Sequence, residues 1–494
     1  MKNKYFFVIF FLLTSCAQHP PQQLRQQNLT HDLAWVKQTV LASGEKSKIA
    51  TAFFTGPMSL TATINYALEH NLDAAIAARQ TAVKREALTG AYWRLLPSLM
   101  LSGESSKQNH YTPSSSMSWE TKKESLEPSI SHDQKTNTFS AELSWNMLNL
   151  AVDFQRVQQA ENQVYISEYE LRRAKQNLVL DITRAYLNCA IARKAMVDAR
   201  QLIARAKERQ QILEQEGASG ISNPTEILNG RISIYKLQDN LRNYTVEAER
   251  QWQQLAKLLG VPPQTEFIFD PIEIPEQVAV LERAGAELRD LEREALGQRP
   301  EMFRFDLEEQ DALKEADIAL TQLFPSLTSF VRYSYDDNSY LSRHDWANAG
   351  LRLSWDLFTI PRLLSEKKQG NRKAELVRKR RQAQALAVVV QLNLALAEYK
   401  DAREGLEIAR NIELANGELE GIINRNVAAG RGGDETMLLL TSENYLQARV
   451  KTMRVWADLM LAKARIYNSL GRDFSAQDMD ISRGIMPAAA EPLP

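Results

Sequence analysis

Side chains able to do covalent or acid–base chemistry are thinly spread along this chain. Its six histidines stand far apart and form no metal-ligand spacing, so neither a metal nor another cofactor is expected. No hydroxyl or thiol is matched to an activating base, and no enzyme is expected. Gly430-Arg431-Gly432-Gly433 lacks the Lys-Ser/Thr that would complete a phosphate loop. Cys189 lies between Ala185 and Ala192 at helical spacing, where a thiol acts as a small packing group. The run Arg372, Lys373, Arg378, Lys379, Arg380 and Arg381 sits inside a helical stretch and reads as a solvated face. A net charge of −1 gives no reason to expect nucleic acid. What remains is acid at two glycine-containing breaks, Glu226 at one and Asp434 with Glu435 at the other. Carboxylates crowded at a constriction favour cations. At a helix start they also complement the helix dipole, and both roles stand open.

Each break separates long helical stretches. From about Leu150 to Glu216 there is neither glycine nor proline. Within that run Leu178, Ile182, Ala185, Cys189, Ala192, Met196, Ala199, Ile203, Ala206 and Leu213 step by fours and threes. This is a heptad seam, interrupted only at Gln210. Such a helix reaches roughly 100 Å at 1.5 Å per residue. Gly217 to Pro224 is a turn by composition. Thr225 restarts a helix with Ile234, Leu237, Leu241, Tyr244, Ala248, Leu255 and Leu258 on its seam, closed by Gly260 and two prolines.

Ahead of the long helix the period changes to two. Phe139, Ala141, Leu143 and Trp145 alternate with Ser140, Glu142, Ser144 and Asn146, which predicts a strand with one apolar face. Apolar residues from Leu60 to Leu96 keep helical spacing through Ile64, Leu68, Leu72 and Ile76, and Pro97 stops that helix. A first strand follows at about 98–105. Residues 107–137 show no periodicity and read as an exposed loop.

The pattern then starts again. Ala67-Leu68 precedes Pro97-Ser98-Leu99 by the same thirty residues that separate Ala295-Leu296 from Pro325-Ser326-Leu327. Leu143-Ser144-Trp145 recurs as Leu353-Ser354-Trp355, and Arg193 with Ala199-Arg200 recurs as Arg403 with Ala409-Arg410 (193 to 403, a shift of 210). Gly220 and Leu228 meet Gly430 and Leu438 at that shift. A constant offset over so many residues marks a tandem duplication. The offset is 228 at the first proline (97 to 325), so the first hairpin loop is longer by 18 residues. Variable length there marks unconstrained surface.

Four strands of about eight to ten residues are long enough to cross an outer membrane when tilted. In the second pair Val331, Tyr333 and Tyr335 oppose Arg332, Ser334 and Asp336, while Ala349, Leu351, Leu353 and Trp355 oppose Asn348, Gly350, Arg352, Ser354 and Asp356. Trp145, Trp355, Tyr335 and Tyr340 near the strand ends suit an interfacial girdle. Four strands cannot close a barrel, and lipid tolerates no unpaired edge. The chain is therefore expected to oligomerise around one pore.

Lys2 and Lys4 precede an apolar core from Tyr5 to Leu13 that is too short to span a bilayer. It ends in Leu13-Thr14-Ser15-Cys16, which resembles the lipobox of bacterial lipoproteins. The resemblance implies cleavage before Cys16 and lipidation of its thiol. Ala17 in the next position implies delivery to the outer membrane. The organisation predicted is a signal peptide over 1–15 and a lipidated arm over 16–56. A first repeat over 57–260 has its hairpin at 97–147 and helices at 150–216 and 225–259. A linker over 261–285 leads to a second repeat over 286–471, with hairpin 325–357 and helices 362–429 and 434–470. The tail over 472–494 is expected to be disordered.

Taken together, the lipobox, the doubled unit opened by Pro-Ser-Leu and closed by Leu-Ser-Trp, and the heptad helices with glycine-containing tips resemble the outer-membrane factor (TolC-like) family. That resemblance implies a mainly α protomer with a membrane β-barrel. In a homotrimer, each chain would lend four strands to a twelve-stranded β-barrel above a twelve-helix periplasmic α-barrel. It further implies a passive duct in the lipid of a Gram-negative outer membrane. The duct would dock on a periplasmic membrane-fusion adaptor and an inner-membrane transporter of RND, ABC or MFS type. The family tip resembles a glycine, five residues, an acid and an apolar pair, and Gly220 through Glu226-Ile227-Leu228 fits. At the second tip Thr436 stands in the acidic position behind Asp434 and Glu435. Both small-molecule efflux and type I secretion use such a duct. The alternative is a non-conducting coiled-coil lipoprotein scaffold, which has no need of lipid-facing strands.

Overall fold

Period-two and heptad stretches become strands and helices in the order expected, twice over. The computed structural model describes residues 25, 28–30, 32–34, 56–113, 115, 117–124, 127–219, 223–262, 265, 267–271, 274, 288–431 and 435–473. The first repeat contains β1 (Pro57–Met58), α1 (Leu60–His70), α2 (Leu72–Trp93), β2 (Ser98–Lys107), β3 (Lys135–Asn146), α3 (Met147–Ser219) and α4 (Pro224–Leu259). After β4 (Ile268–Phe269), the second repeat contains α5 (Leu288–Gln298), α6 (Pro300–Thr321), β5 (Ser326–Asp336), β6 (Asp345–Ser354), α7 (Ile360–Ala428) and α8 (Glu435–Leu470).

The stretch expected as one helix from Leu60 to Leu96 is broken at Asn71. Its backbone is extended (φ −66°, ψ 130°), and its side chain accepts from the Ala74 N–H to cap α2. The Asn71 amide also donates to the Leu258 carbonyl at 2.8 Å, tying the break to the end of α4. The second repeat breaks at the equivalent Arg299. The linker also differs from expectation, because Ile268 and Phe269 pair in parallel with Pro57 and Met58. The Tyr186 hydroxyl donates to the Met58 carbonyl at 2.6 Å, which fixes this small sheet on α3.

Four long strands form one antiparallel sheet in the order β2-β3-β5-β6. Both hairpins keep the same register, Ser98 opposite Ser144 and Ser326 opposite Ser354. Below the sheet, α3 at 73 residues and α7 at 69 residues run roughly 100 Å away from it, and α4 and α8 return. The heptad seam of α3 is the core, with Ile182, Ala185, Cys189, Ala199, Ala206 and Leu213 all buried. Ile234, Leu237, Leu241 and Leu255 of α4 meet it.

The two returning helices correspond at a shift of 211 (260 to 471), one more than the outgoing ones. Each has 36 residues and ends on a glycine with positive φ, Gly260 and Gly471. At this shift buried Ile227, Leu241, Leu255 and Leu259 match buried Leu438, Thr452, Ile466 and Leu470. The extra residue falls in the second turn, so Leu228 corresponds to Leu439 and not to Leu438.

Candidate functional site

The sheet separates two chemistries. One face carries Leu99, Leu101, Phe139, Leu143, Trp145, Val331, Tyr333, Tyr335, Leu351 and Leu353, all exposed. The other is lined mainly by serines, threonines and charged groups, with Met100, Phe330 and Trp346 among them. There Glu142 faces Arg332 across the β3–β5 seam, and the Arg332 Nε–H donates to its carboxylate at 2.6 Å. Where large rings cross the sheet, glycine leaves room. A Cβ on Gly103 would stand 3.2 Å from the Phe139 ring, and one on Gly350 would stand 3.0 Å from Phe330.

Aromatic groups crowd the junctions between strands and helices. Trp145 is 40% exposed and Trp355 57%, and the Trp355 indole N–H donates to the Leu323 carbonyl at 3.1 Å. Sequence reasoning missed their companions Tyr92, Trp93, Phe324 and Phe358, the last 97% exposed. The period stops at the strand ends, so nothing in it marks these residues as part of the band. Their position suits a membrane interface. Among the described residues, no helix is long and apolar enough to cross a membrane.

At the opposite strand ends the long first loop is less free than its length suggests. Asn338, buried in the second hairpin turn, donates to the Ser131 carbonyl at 3.1 Å. Asp133 accepts from the backbone N–H and hydroxyl of Ser339. The base of the first loop is thus pinned to the second hairpin.

Of the residues expected at the helix turns, Gly220 and Asp434 lie outside the described residues, as does Cys16. Glu226 is exposed in the first turn of α4. Gly430 sits just past α7 with φ +63°. There Arg431 N–H reaches the Asn426 carbonyl and Gly430 N–H the Val427 carbonyl, a left-handed helix end that glycine satisfies without strain. Glu435 pairs with Arg205 of α3 at 2.7 Å. Arg209 donates to the Thr436 hydroxyl at 3.1 Å and pairs with Glu216 at 3.3 Å. Farther up, Arg449 meets Asp198 at 3.4 Å, and Asn240 donates to Glu443 at 3.0 Å. The second tip is therefore fastened to the first coil by arginines that the sequence did not single out.

The basic run is also not simply solvated. Lys373 pairs with Glu315, Arg378 with Glu309, and Arg381 with Asp306. These acids all belong to α6, which bridges α7 and α3. On its α3 side, Asp311 accepts from Asn162 at 2.7 Å and Gln163 at 3.0 Å. Burial pushes the Asp311 carboxyl up, and those two amides pull it back.

Corresponding faces of the two repeats are covered unequally. On α3, Asn162, Ile166 and Gln176 are buried. At a shift of 210, their equivalents Arg372, Leu376 and Leu386 on α7 are exposed. Asp198, Arg205 and Arg209 hold α8, whereas Ile408, Ala415 and Leu419 are exposed. On α8, Leu439, Leu446, Val450 and Ala457 are buried. Their equivalents Leu228, Tyr235, Asp239 and Val246 on α4 are exposed.

Residues 63–261 and 291–472 match the family described as "Outer membrane efflux protein". The chain belongs to the outer membrane efflux protein family. The first matched segment takes in α2 to α4 and the second α6 to α8. Among solved structures, the chain resembles the Campylobacter jejuni CmeC outer membrane channel with a TM-score of 0.68 at 15% identity, over 86% of this chain and 89% of that one. It resembles the Vibrio cholerae outer membrane protein VceC at 0.64 and 14%, over 83% and 96%. It also resembles the open-state Neisseria gonorrhoeae MtrE channel at 0.63 and 15%, over 83% and 88%. No protein of curated function matches the sequence significantly. In this outer membrane efflux protein the apolar sheet face and the aromatic groups beside it lie at one end of the long helices, and the helix turns lie at the other.

Proposed function

We propose that three copies of this chain close into one passive efflux duct. Their twelve strands would line a pore through the outer membrane, and their long helices would carry it across the periplasm. The observation that carries the reading is the unequal covering of equivalent faces. What α3 buries under α6 and α8 within the chain, α7 leaves bare, and α2 and α4 of a second copy present the matching surface. A heterologous contact of this kind closes into a ring when its rotation permits. The unpaired outer edges of β2 and β6 make the same demand in lipid.

In this reading the turns near Glu226, Gly430, Asp434 and Glu435, with Gly220, form the periplasmic aperture and the docking point for a membrane-fusion adaptor. The adaptor would connect the duct to an inner-membrane transporter of RND, ABC or MFS type, which supplies the energy and selects small molecules or polypeptides. Cys16 would carry the lipid anchor. A non-conducting scaffold gives no reason for an exposed apolar sheet face. Planar-bilayer recording of the purified protein tests the duct. Conductance is expected and should rise when the Arg205–Glu435 link is removed. No conductance from either form would overturn the reading.

A further inference from the structure

The internal repeat assigns a partner and a register to the two free strand edges. In the chain, the seam between repeats is β3 against β5, with Glu142 opposite Arg332 and Ser144 opposite Phe330. Strand β6 is β3 displaced by 210 (Leu143-Ser144-Trp145 to Leu353-Ser354-Trp355), and β5 is β2 displaced by 228 (Pro97-Ser98-Leu99 to Pro325-Ser326-Leu327). The hairpins keep one register under these displacements. The equivalent of the β3–β5 seam is then β6 against β2 of a second copy. Glu142 becomes Arg352 and Arg332 becomes Glu104, so the same ion pair returns with its charges exchanged.

We propose that β6 of one copy pairs antiparallel with β2 of the next in the register that sets Arg352 opposite Glu104 of that copy and Ser354 opposite Ser102. The interaction surface is a strand edge, and its partner is a second copy of this chain. This rests on the duct reading above and adds the register to it. Both side chains belong to the polar sheet face that holds Glu142 and Arg332, where alternation along the strand places them. Among the described residues, Glu104 makes no ion pair. Arg352 lies over the Phe330 ring at 5.1 Å and not against an acid. Opposite charges set across a seam specify its register, and a slip by two residues would face Arg352 with Ser102 or Ser106 instead.

Two sets of full-length variants in detergent test the register. The double variant S102C/S354C, in a C189A background, is expected to oxidise to disulfide-linked chains, while S102C/R352C and the unsubstituted protein do not. E104R and R352E are each expected to lower the temperature at which the trimer dissociates by native mass. Combining them is expected to restore most of that loss. A persistent trimer that links through S102C/R352C, or whose combined charge reversal recovers nothing, overturns the register and leaves the duct standing. A monomeric unsubstituted protein overturns both.

Discussion

Asn71 and Arg299 hold the same station in the two repeats, and each presses on the end of its own returning helix. Asn71 reaches the Leu258 carbonyl just before Gly260. The backbone of Arg299 lies so close to Gly471 that a Cβ there would stand 2.9 Å from its N and Cα. The Arg299 side chain is 1% exposed and donates to Gln391 at 2.7 Å and Glu301 at 3.1 Å. One fold position is thus solved once by a neutral amide and once by a buried guanidinium.

Replacing Gly471 should therefore cost more than replacing Gly260. Both have positive φ, +75° and +68°, which costs an alanine about 1–2 kcal/mol. At Gly260 the new methyl meets only the His70 carbonyl at 3.3 Å, whereas at Gly471 it meets backbone at 2.9 Å, adding about 1–3 kcal/mol. Thermal unfolding of Gly471→Ala and Gly260→Ala should show the larger loss in the former. Equal losses would contradict the contact.

Gly370 and Gly405 of α7 make a second contrast. A Cβ on Gly370 would stand 2.8 Å from the Ala316 backbone N of α6, and Gly370→Ala should destabilise by about 1–3 kcal/mol. At Gly405 the nearest atom is a Val455 methyl at 3.5 Å, an ordinary contact. Gly405→Ala should then stabilise by up to about 1 kcal/mol through helix propensity. Denaturant midpoints of the two variants should move in opposite directions.

The elements were legible wherever one period ran unbroken, as along Ile182 to Leu213 and Phe139 to Trp145. The break at Asn71 was not, because Leu68, Leu72 and Ile76 keep their step of four across it and hide a capping residue. The basic run on α7 was read alone, since nothing in its own residues says that Asp306, Glu309 and Glu315 lie opposite. At the tips the interruption of the seam at Gln210 marks a polar contact inside the first coil, where its side chain accepts from Gln238 of α4, and not the polar face that α3 turns to α8. Arg205 and Arg209 form that face, and only the packing of one repeat on the other brings Glu435 and Thr436 to them. The shift of one residue between returning helices was hidden for a similar reason: matching glycines mark the ends of a turn but not its length.

The exposed stripes of α7 and α4 predict where a polar substitution separates copies without unfolding them. Transferring the register of the α3–α8 contact, in which Arg209 meets Thr436 and Arg205 meets Glu435, sets Ile412 near Ile232 of a second copy. Both are exposed in the single chain. Ile412→Asp and Ile232→Asp should each shift native mass toward monomer while leaving helical circular dichroism unchanged. The same substitution at buried Ile234 should unfold the coil instead. A trimer unaffected by either exposed change would refute the stripe contact.

At the tip, the Arg205–Glu435 pair is about two-fifths exposed on each side, so it adds little to stability, about 1 kcal/mol at most. Its removal should act on the aperture and not on folding. Arg205→Ala should leave the melting temperature within a degree or two while raising single-channel conductance. Added salt should raise the conductance of the unsubstituted protein more steeply than it raises the conductivity of the bulk electrolyte, since exposed pairs are screened. A variant with lowered melting temperature and unchanged conductance would count against a lock at this pair.

Cys189 gives the pH dependence with the clearest sign. It is buried on the α3 seam, and burial pushes its thiol from 9.0 up to about 12, against a smaller opposing pull from Arg193. The folded state thus holds the proton more tightly than the unfolded chain does. Its stabilising contribution is whole below about pH 9 and is lost as the pH rises towards about 12. Cys189→Ala should therefore start slightly less stable at pH 8, by about 1 kcal/mol for the lost packing, and should gain on the unsubstituted protein as the pH climbs. Iodoacetamide at pH 8 should label Cys189 only after unfolding. Rapid labelling of the folded protein would place the thiol at the surface and contradict the seam.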